Sequence, residues 1–94
     1  MRGAVSFDSV KKELLKNPRI KSAYDREHVR AVVALQITEL REQHRLSQKE
    51  LAEKLHTTQQ TISKIENPDN NVTIGTLEKI TNVFNRKLIV KLAK

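Results

Sequence analysis

Gln59, Gln60, Thr61, Ser63 and Lys64 are the residues of this 94-residue chain whose types and spacing best suit chemistry on another molecule. A glutamine amide donates and accepts at once, so it can bond bidentately to the N6 and N7 edge of adenine in the major groove. A threonine methyl can meet the methyl of thymine, and a lysine can reach guanine or a phosphate. No acid interrupts the segment from Thr57 to Ile65, whereas a water-facing structural helix more usually pairs Glu with Lys at four-residue spacing. A merely solvated helix can show the same glutamines, so the weight of the reading falls on the elements around them.

Those elements are legible in the run SQKELAEKLHTTQQTISKIE from Ser47 to Glu66. Ser47 followed by Glu50 is a capping box, which predicts a helix from Gln48 to about Leu55. Leu51 and Leu55 share one face, and the small Ala52 beside them lets another helix approach. A turn is expected at His56 and Thr57. Thr58 is a suitable N-cap for a second helix over Gln59 to about Glu66, burying Ile62 and Ile65 and leaving the polar residues outward. Two short helices, a tight turn and a polar outer face form a DNA-reading helix-turn-helix, with a plain helical hairpin as the alternative.

On these residues the segment from Ile37 to Phe84 resembles the Cro and C1-repressor type helix-turn-helix family, also called XRE. The matching positions are Leu40, Arg41, Leu46, Ser47, Gln48, Leu51, Ala52, Thr58, Gln59, Thr61, Ile62, Ser63, Ile65 and Glu66. The resemblance implies that Gln48 binds a phosphate and supports the first recognition glutamine, and that Arg41 pairs with Glu66. Arg45 and His56 stand where the family commonly has glycine. Either those turns avoid left-handed geometry, or the chain tolerates about 1 kcal/mol at each.

Ninety-four residues suit one small domain with an appendage. With 37% hydrophobic residues, 3% aromatics, two Gly and two Pro, the composition favours a helical core of Leu, Ile and Val. Without cysteine there is no disulfide and no thiolate site, which fits an intracellular protein. The longest apolar run, Ala31 to Leu35, is too short to span a membrane, and no signal peptide is evident.

The net charge of +7 suits a polyanionic partner, since phosphate neutralisation supplies much of non-specific affinity; ordinary solubility is the other reading. Seven basic residues against four acidic give +3 for residues 1–28, six against five give +1 for 29–67, and five against two give +3 for 68–94. The motif is nearly neutral, so recognition there rests on hydrogen bonds and the flanks supply the field.

Upstream, Ser6 can cap a helix over Phe7 to Lys16 that Asn17 and Pro18 end, and Pro18 can open a short helix containing Ile20, Ala23 and Tyr24. A longer helix is expected from about Arg26 to His44, with Val29, Val33, Ile37 and Leu40 on its inner face and Val32 and Leu35 broadening it. The stripe Phe7, Val10, Leu14, Ile20 and Tyr24 either completes the core or covers a protein partner, because amphipathic spacing is the same for both.

A segment with Phe7, a short Leu-containing helix, Asn17-Pro18 and a Tyr24-containing helix leading into an XRE motif is similar to the HigA-type antitoxins of type II toxin-antitoxin modules. That resemblance implies an antitoxin that binds a small basic RelE-like ribonuclease and represses its own operon on double-stranded operator DNA, in the bacterial cytoplasm. It makes Phe7, Val10, Leu14, Ile20 and Tyr24 the toxin-contact candidates. Many antitoxins are acidic, and this chain is basic.

Asn67 to Asn71 is a turn-rich loop, in which Asn67, Asn70 and Asn71 either contact phosphates or only shape the turn. Thr73 can cap a last helix over Ile74 to Phe84, with Leu77, Ile80, Val83 and Phe84 inward. In the tail, Leu88, Val90 and Leu92 alternate with Ile89, Lys91 and Ala93 as a strand would, although Lys, Leu and Ala also suit a helix. A strand needs a partner. The same strand of a second copy supplies one, and a two-fold homodimer would space two recognition helices about 34 Å apart.

His28, His44 and His56 have no cysteine, HExxH spacing or paired acids beside them, so no metal, cofactor or catalytic role is expected. The expected fold is all-α: a five-helix Cro/C1-repressor-like bundle with an N-terminal extension over 1–28, a helix-turn-helix domain over 29–85 and a dimerising β-strand over 86–94. The DNA-contact set is Gln48, Thr58, Gln59, Gln60, Thr61, Ser63, Lys64, Asn67 and Asn70. A stand-alone XRE repressor is the alternative function.

Overall fold

The computed structural model describes residues 7–26, 28–90 and 92, which form six α-helices in place of the five expected: α1 (Phe7–Leu14), α2 (Pro18–Asp25), α3 (Val29–Gln43), α4 (Gln48–Lys54), α5 (Gln59–Ile65) and α6 (Ile74–Val83). The expected cap at Ser6 lies outside the described residues. α2 starts where the sequence indicates, with Pro18 in its first turn and the Asn17 side chain accepting from the amides of Arg19 at 2.9 Å and Ile20 at 3.4 Å.

α3 is shorter than expected. Arg26 closes α2 through its own amide, which donates to Ser22 and Tyr24, so the chain turns there and the helix resumes only at Val29. Neither glycine nor proline marks that break in the sequence. Val33, Ile37 and Leu40 face the core as expected, whereas Val29 is 72% exposed, and Ala31 and Ala34 are buried on a further face. The alanines let α2 lie close, burying Ile20 and Ala23 between the two helices. Arg19 at the start of α2 pairs with Glu39 and, at 3.6 Å, with Glu42 near the end of α3, so the two helices form an antiparallel hairpin.

The other side of α3 carries the main core. Ile37, Leu51, Ala52, Ile62, Ile65, Ile80 and Phe84 are buried together, with Val33, Leu40, Leu46, Leu55, Val72, Leu77 and Val83 packed against them. Each helix of the motif is started by its own cap. Ser47 and Glu50 bond reciprocally at 3.0 and 2.9 Å, and Thr58 and Thr73 accept from the amides of Thr61 and Thr76, both at 3.2 Å.

Three helices end alike. Arg45, His56 and Asn85 have φ of 57°, 55° and 55°, in the left-handed region that glycine favours. Leu46 N donates to Arg41 O at 3.2 Å, Thr57 N to Ala52 O at 2.9 Å and Arg86 N to Thr81 O at 2.8 Å. These six-to-one bonds are Schellman closures. Of the two alternatives for Arg45 and His56, the chain takes left-handed turns without glycine. Beyond Asn85, the described tail residues of this single chain form neither helix nor paired strand.

Candidate nucleic-acid interface

α5 is seven residues long, too short to be stable alone, and is held by what it buries. Ile62 is fully enclosed and Ile65 nearly so, which turns Gln59, Gln60, Thr61, Ser63 and Lys64 to solvent. Thr58 and Thr61 share a hydroxyl–hydroxyl bond of 2.9 Å. That bond engages the polar part of Thr61 and leaves its methyl as the group offered outward. The two glutamines make no hydrogen bond with any described residue, so their amides are available in full.

The far end of α5 is fixed by charge. Arg41 Nε and Nη2 donate to the two carboxylate oxygens of Glu66 at 2.7 and 3.0 Å, and its Nη1 donates to the carbonyl of Leu46 at 2.7 Å. Gln48 Nε2 adds a bond to Glu66 at 3.2 Å. Only 13% of the Arg41 and 6% of the Glu66 side chain remain exposed, so the pair is well shielded and its two-pronged geometry satisfies both oxygens. Burial pushes the Glu66 carboxyl up, but the bonds from Arg41 and Gln48 outweigh it and hold the group below the usual carboxylate range.

Gln48 is therefore already engaged. It sits at the first position of α4, half-buried, bonded to Glu66 and not to Gln59. Asn67 shapes its loop, accepting from the amide of Asp69 at 2.9 Å, while its own NH2 group stays exposed; Asn70 is exposed as well. His44, for which the sequence suggests no metal, cofactor or catalytic role, is exposed and joins two helix ends: its Nδ1 lies 2.9 Å from Leu40 O and its ring 4.6 Å from that of Phe84. Nothing in the sequence signals that contact except the position of His44 one residue past α3.

The N-terminal candidates divide. Ile20 is 4% exposed and belongs to the packing between α2 and α3 rather than to a free surface. Leu14 and Tyr24 are half-buried, with Lys11 Nζ 5.2 Å from the centre of the Tyr24 ring. The side chains of Phe7 and Val10 lie outside the described part of the structure. In the tail Leu88 is half-buried, and Val90 and Leu92 are 62% and 88% exposed. No described helix is long and apolar enough to cross a membrane.

Two capped helices joined by a left-handed turn, the second presenting an acid-free polar face, define a helix-turn-helix DNA-binding protein of the XRE type. The helix-turn-helix family profile matches residues 37–90, and the chain belongs to that family. Among solved structures it is similar to a chain in a complex of a HipB variant with an O2 20mer, at 32% identity and a TM-score of 0.59 over 69% of this chain and 90% of that one. No curated protein matches the chain.

Proposed function

We propose that this protein is the antitoxin of a type II toxin-antitoxin pair, which represses its own operon as a dimer and neutralises a RelE-like, mRNA-cleaving toxin of HigA-partner type. The observation that carries the DNA half is the outer face of α5, held rigid by Ile62, Ile65 and the Arg41–Glu66 pair. Gln59 and Gln60 read bases, Thr61 offers its methyl, Ser63 and Lys64 reach bases or phosphate, and Thr58, Asn67 and Asn70 flank them. Gln48 donates one hydrogen of its NH2 group to a phosphate while the other stays on Glu66. Similarity to a HipB chain solved with an O2 20mer supports this use of the surface.

The toxin half rests on the two helices that precede the motif. α2 is bound to α3 by the Arg19 pairings and by buried Ile20 and Ala23, which hold it in a set position against the helix-turn-helix domain. Leu14 and Tyr24, with Phe7 and Val10 from the same stripe, supply the toxin contact, while Ile20 positions α2. Exposed Val90 and Leu92, with Leu88, pair the tail over 86–94 with that of a second copy, which gives each strand the partner it needs.

Two measurements test this. Footprinting on the DNA upstream of the protein's own gene should show two protected half-sites one helical turn apart, and a random pattern would defeat the repressor assignment. Co-expression with the adjacent gene should recover a stoichiometric complex with its product that Leu14→Asp and Tyr24→Asp abolish. Operator binding without any such complex would leave a stand-alone XRE repressor.

A further inference from the structure

The first turn of α3 and the loop after α5 enclose a groove of about 380 Å³ lined by His28, Val29, Arg30, Ala31, Pro68 and Asp69. Arg30 stands seven and eleven residues before Ile37 and Arg41, and it lines the groove with Pro68 and Asp69, so it lies toward the helix-turn-helix side of α3. It occupies the opposite end of that face from Arg41. The other cations of α2, its cap and α3 are committed: Arg19 to Glu39, Lys21 to Asp25, Arg26 to the Ser22 carbonyl and Arg41 to Glu66. Arg30 is exposed and makes no hydrogen bond or ion pair with any described residue.

We propose that Arg30 is a phosphate-contacting residue, gripping the DNA backbone beside the recognition helix from the groove between α3 and the 67–71 loop. The inference rests on the reading that α5 enters the major groove. That reading leaves a shortage of charge, since residues 29–67 net only +1 and α5 carries Lys64 as its single cation. Affinity for a duplex comes largely from neutralised phosphates, so further cations must lie close to the reading face. The loop wall of the groove starts at Asn67, directly after Glu66, which Arg41 fixes; the groove therefore keeps a set position relative to α5. A guanidinium fork suits two phosphate oxygens at once. Asp69 lines the same groove without an ion pair to Arg30, and its charge opposes an incoming phosphate.

The test measures binding of the full chain to a labelled short duplex of arbitrary sequence by fluorescence anisotropy, across salt from about 50 to 200 mM. Neutralising one phosphate contact lowers the logarithmic salt slope by about 0.9. The affinity lost over that fourfold range should accordingly shrink by about 3.5-fold in Arg30→Gln. Lys16→Gln removes the same unit of net charge from the turn between α1 and α2, away from the groove residues, and should keep the parental slope. Asp69→Asn should tighten binding. Circular dichroism of Arg30→Gln should match the parent, because the residue is exposed. A slope for Arg30→Gln equal to that of Lys16→Gln would overturn the proposal while leaving the α5 reading intact. Absence of duplex binding by the parent would overturn both.

Discussion

Arg41 and Glu66 meet through two parallel hydrogen bonds, 2.7 and 3.0 Å long, across a gap of 25 residues in the chain. The same guanidinium caps the Leu46 carbonyl at 2.7 Å. One side chain thus fixes the end of α3, the entry to α4 and the end of α5. Glu66→Gln keeps the shape but loses the charge, and should cost about 1.5–3 kcal/mol. At about 4–8 °C per kcal/mol for a domain of this size, a thermal melt resolves it easily.

The pH dependence follows from the same carboxylate. Glu66 sits below its ordinary value of 4.5 in the folded chain, as do Glu39, bonded by Arg19 and Asn17, and Glu50, bonded by the Ser47 amide. A depressed folded value means stability that is complete above the ordinary range and lost as pH falls through the folded values. The melting temperature should stay level from neutrality to about pH 5 and drop below about 4.5. Glu66→Gln should flatten that acid limb.

Glycine at the left-handed turns should stabilise the protein. Arg45→Gly and His56→Gly each relieve a side chain held at positive φ and should gain about 1 kcal/mol in a denaturant titration. Asn85→Gly should gain less, because asparagine tolerates this region.

On DNA, Gln59→Ala and Gln60→Ala should each cost about 1–3 kcal/mol on the operator and relax specificity at one base pair, with an unchanged melt. Lys64→Ala, if its contact is to phosphate, should weaken all sequences alike and lower the salt slope by about 0.9. Gel-shift competition with scrambled duplex separates the two patterns.

Gly75, in the first turn of α6, has room for a methyl group: an added Cβ would meet only Thr73 Oγ1, at 3.9 Å. Gly75→Ala should raise stability by about 0.5–1 kcal/mol, chiefly by restricting the unfolded chain. A melt of this variant checks it, and a loss of stability would refute it.

The parts legible in the sequence were those with local causes. Ser47, Thr58 and Thr73 mark helix starts because a cap needs only a hydroxyl and an amide three residues on. Ile62 and Ile65 declare their burial by spacing. The failures lie where tertiary packing decides. Val29 matches the apolar phase of α3, yet it falls outside the face that α2 covers, and the small Ala31 and Ala34 are buried instead. The turn at 26–28 has no glycine or proline to announce it. Spacing alone could not tell a buried Ile20 from an interface Ile20, since both lie on one stripe. The tail alternates as a strand would, yet its described residues form none in the single chain, because a strand needs a partner that alternation does not supply.

α4 and α5 are seven residues each, about half the length at which an isolated helix becomes marginally stable. The reading surface consequently has no existence apart from the folded chain, and it cannot persist on a fragment or a partly opened molecule. Occupancy of the operator then reports the fraction of intact protein in the cell. A protease that traps the open form would lift repression without ever meeting the DNA.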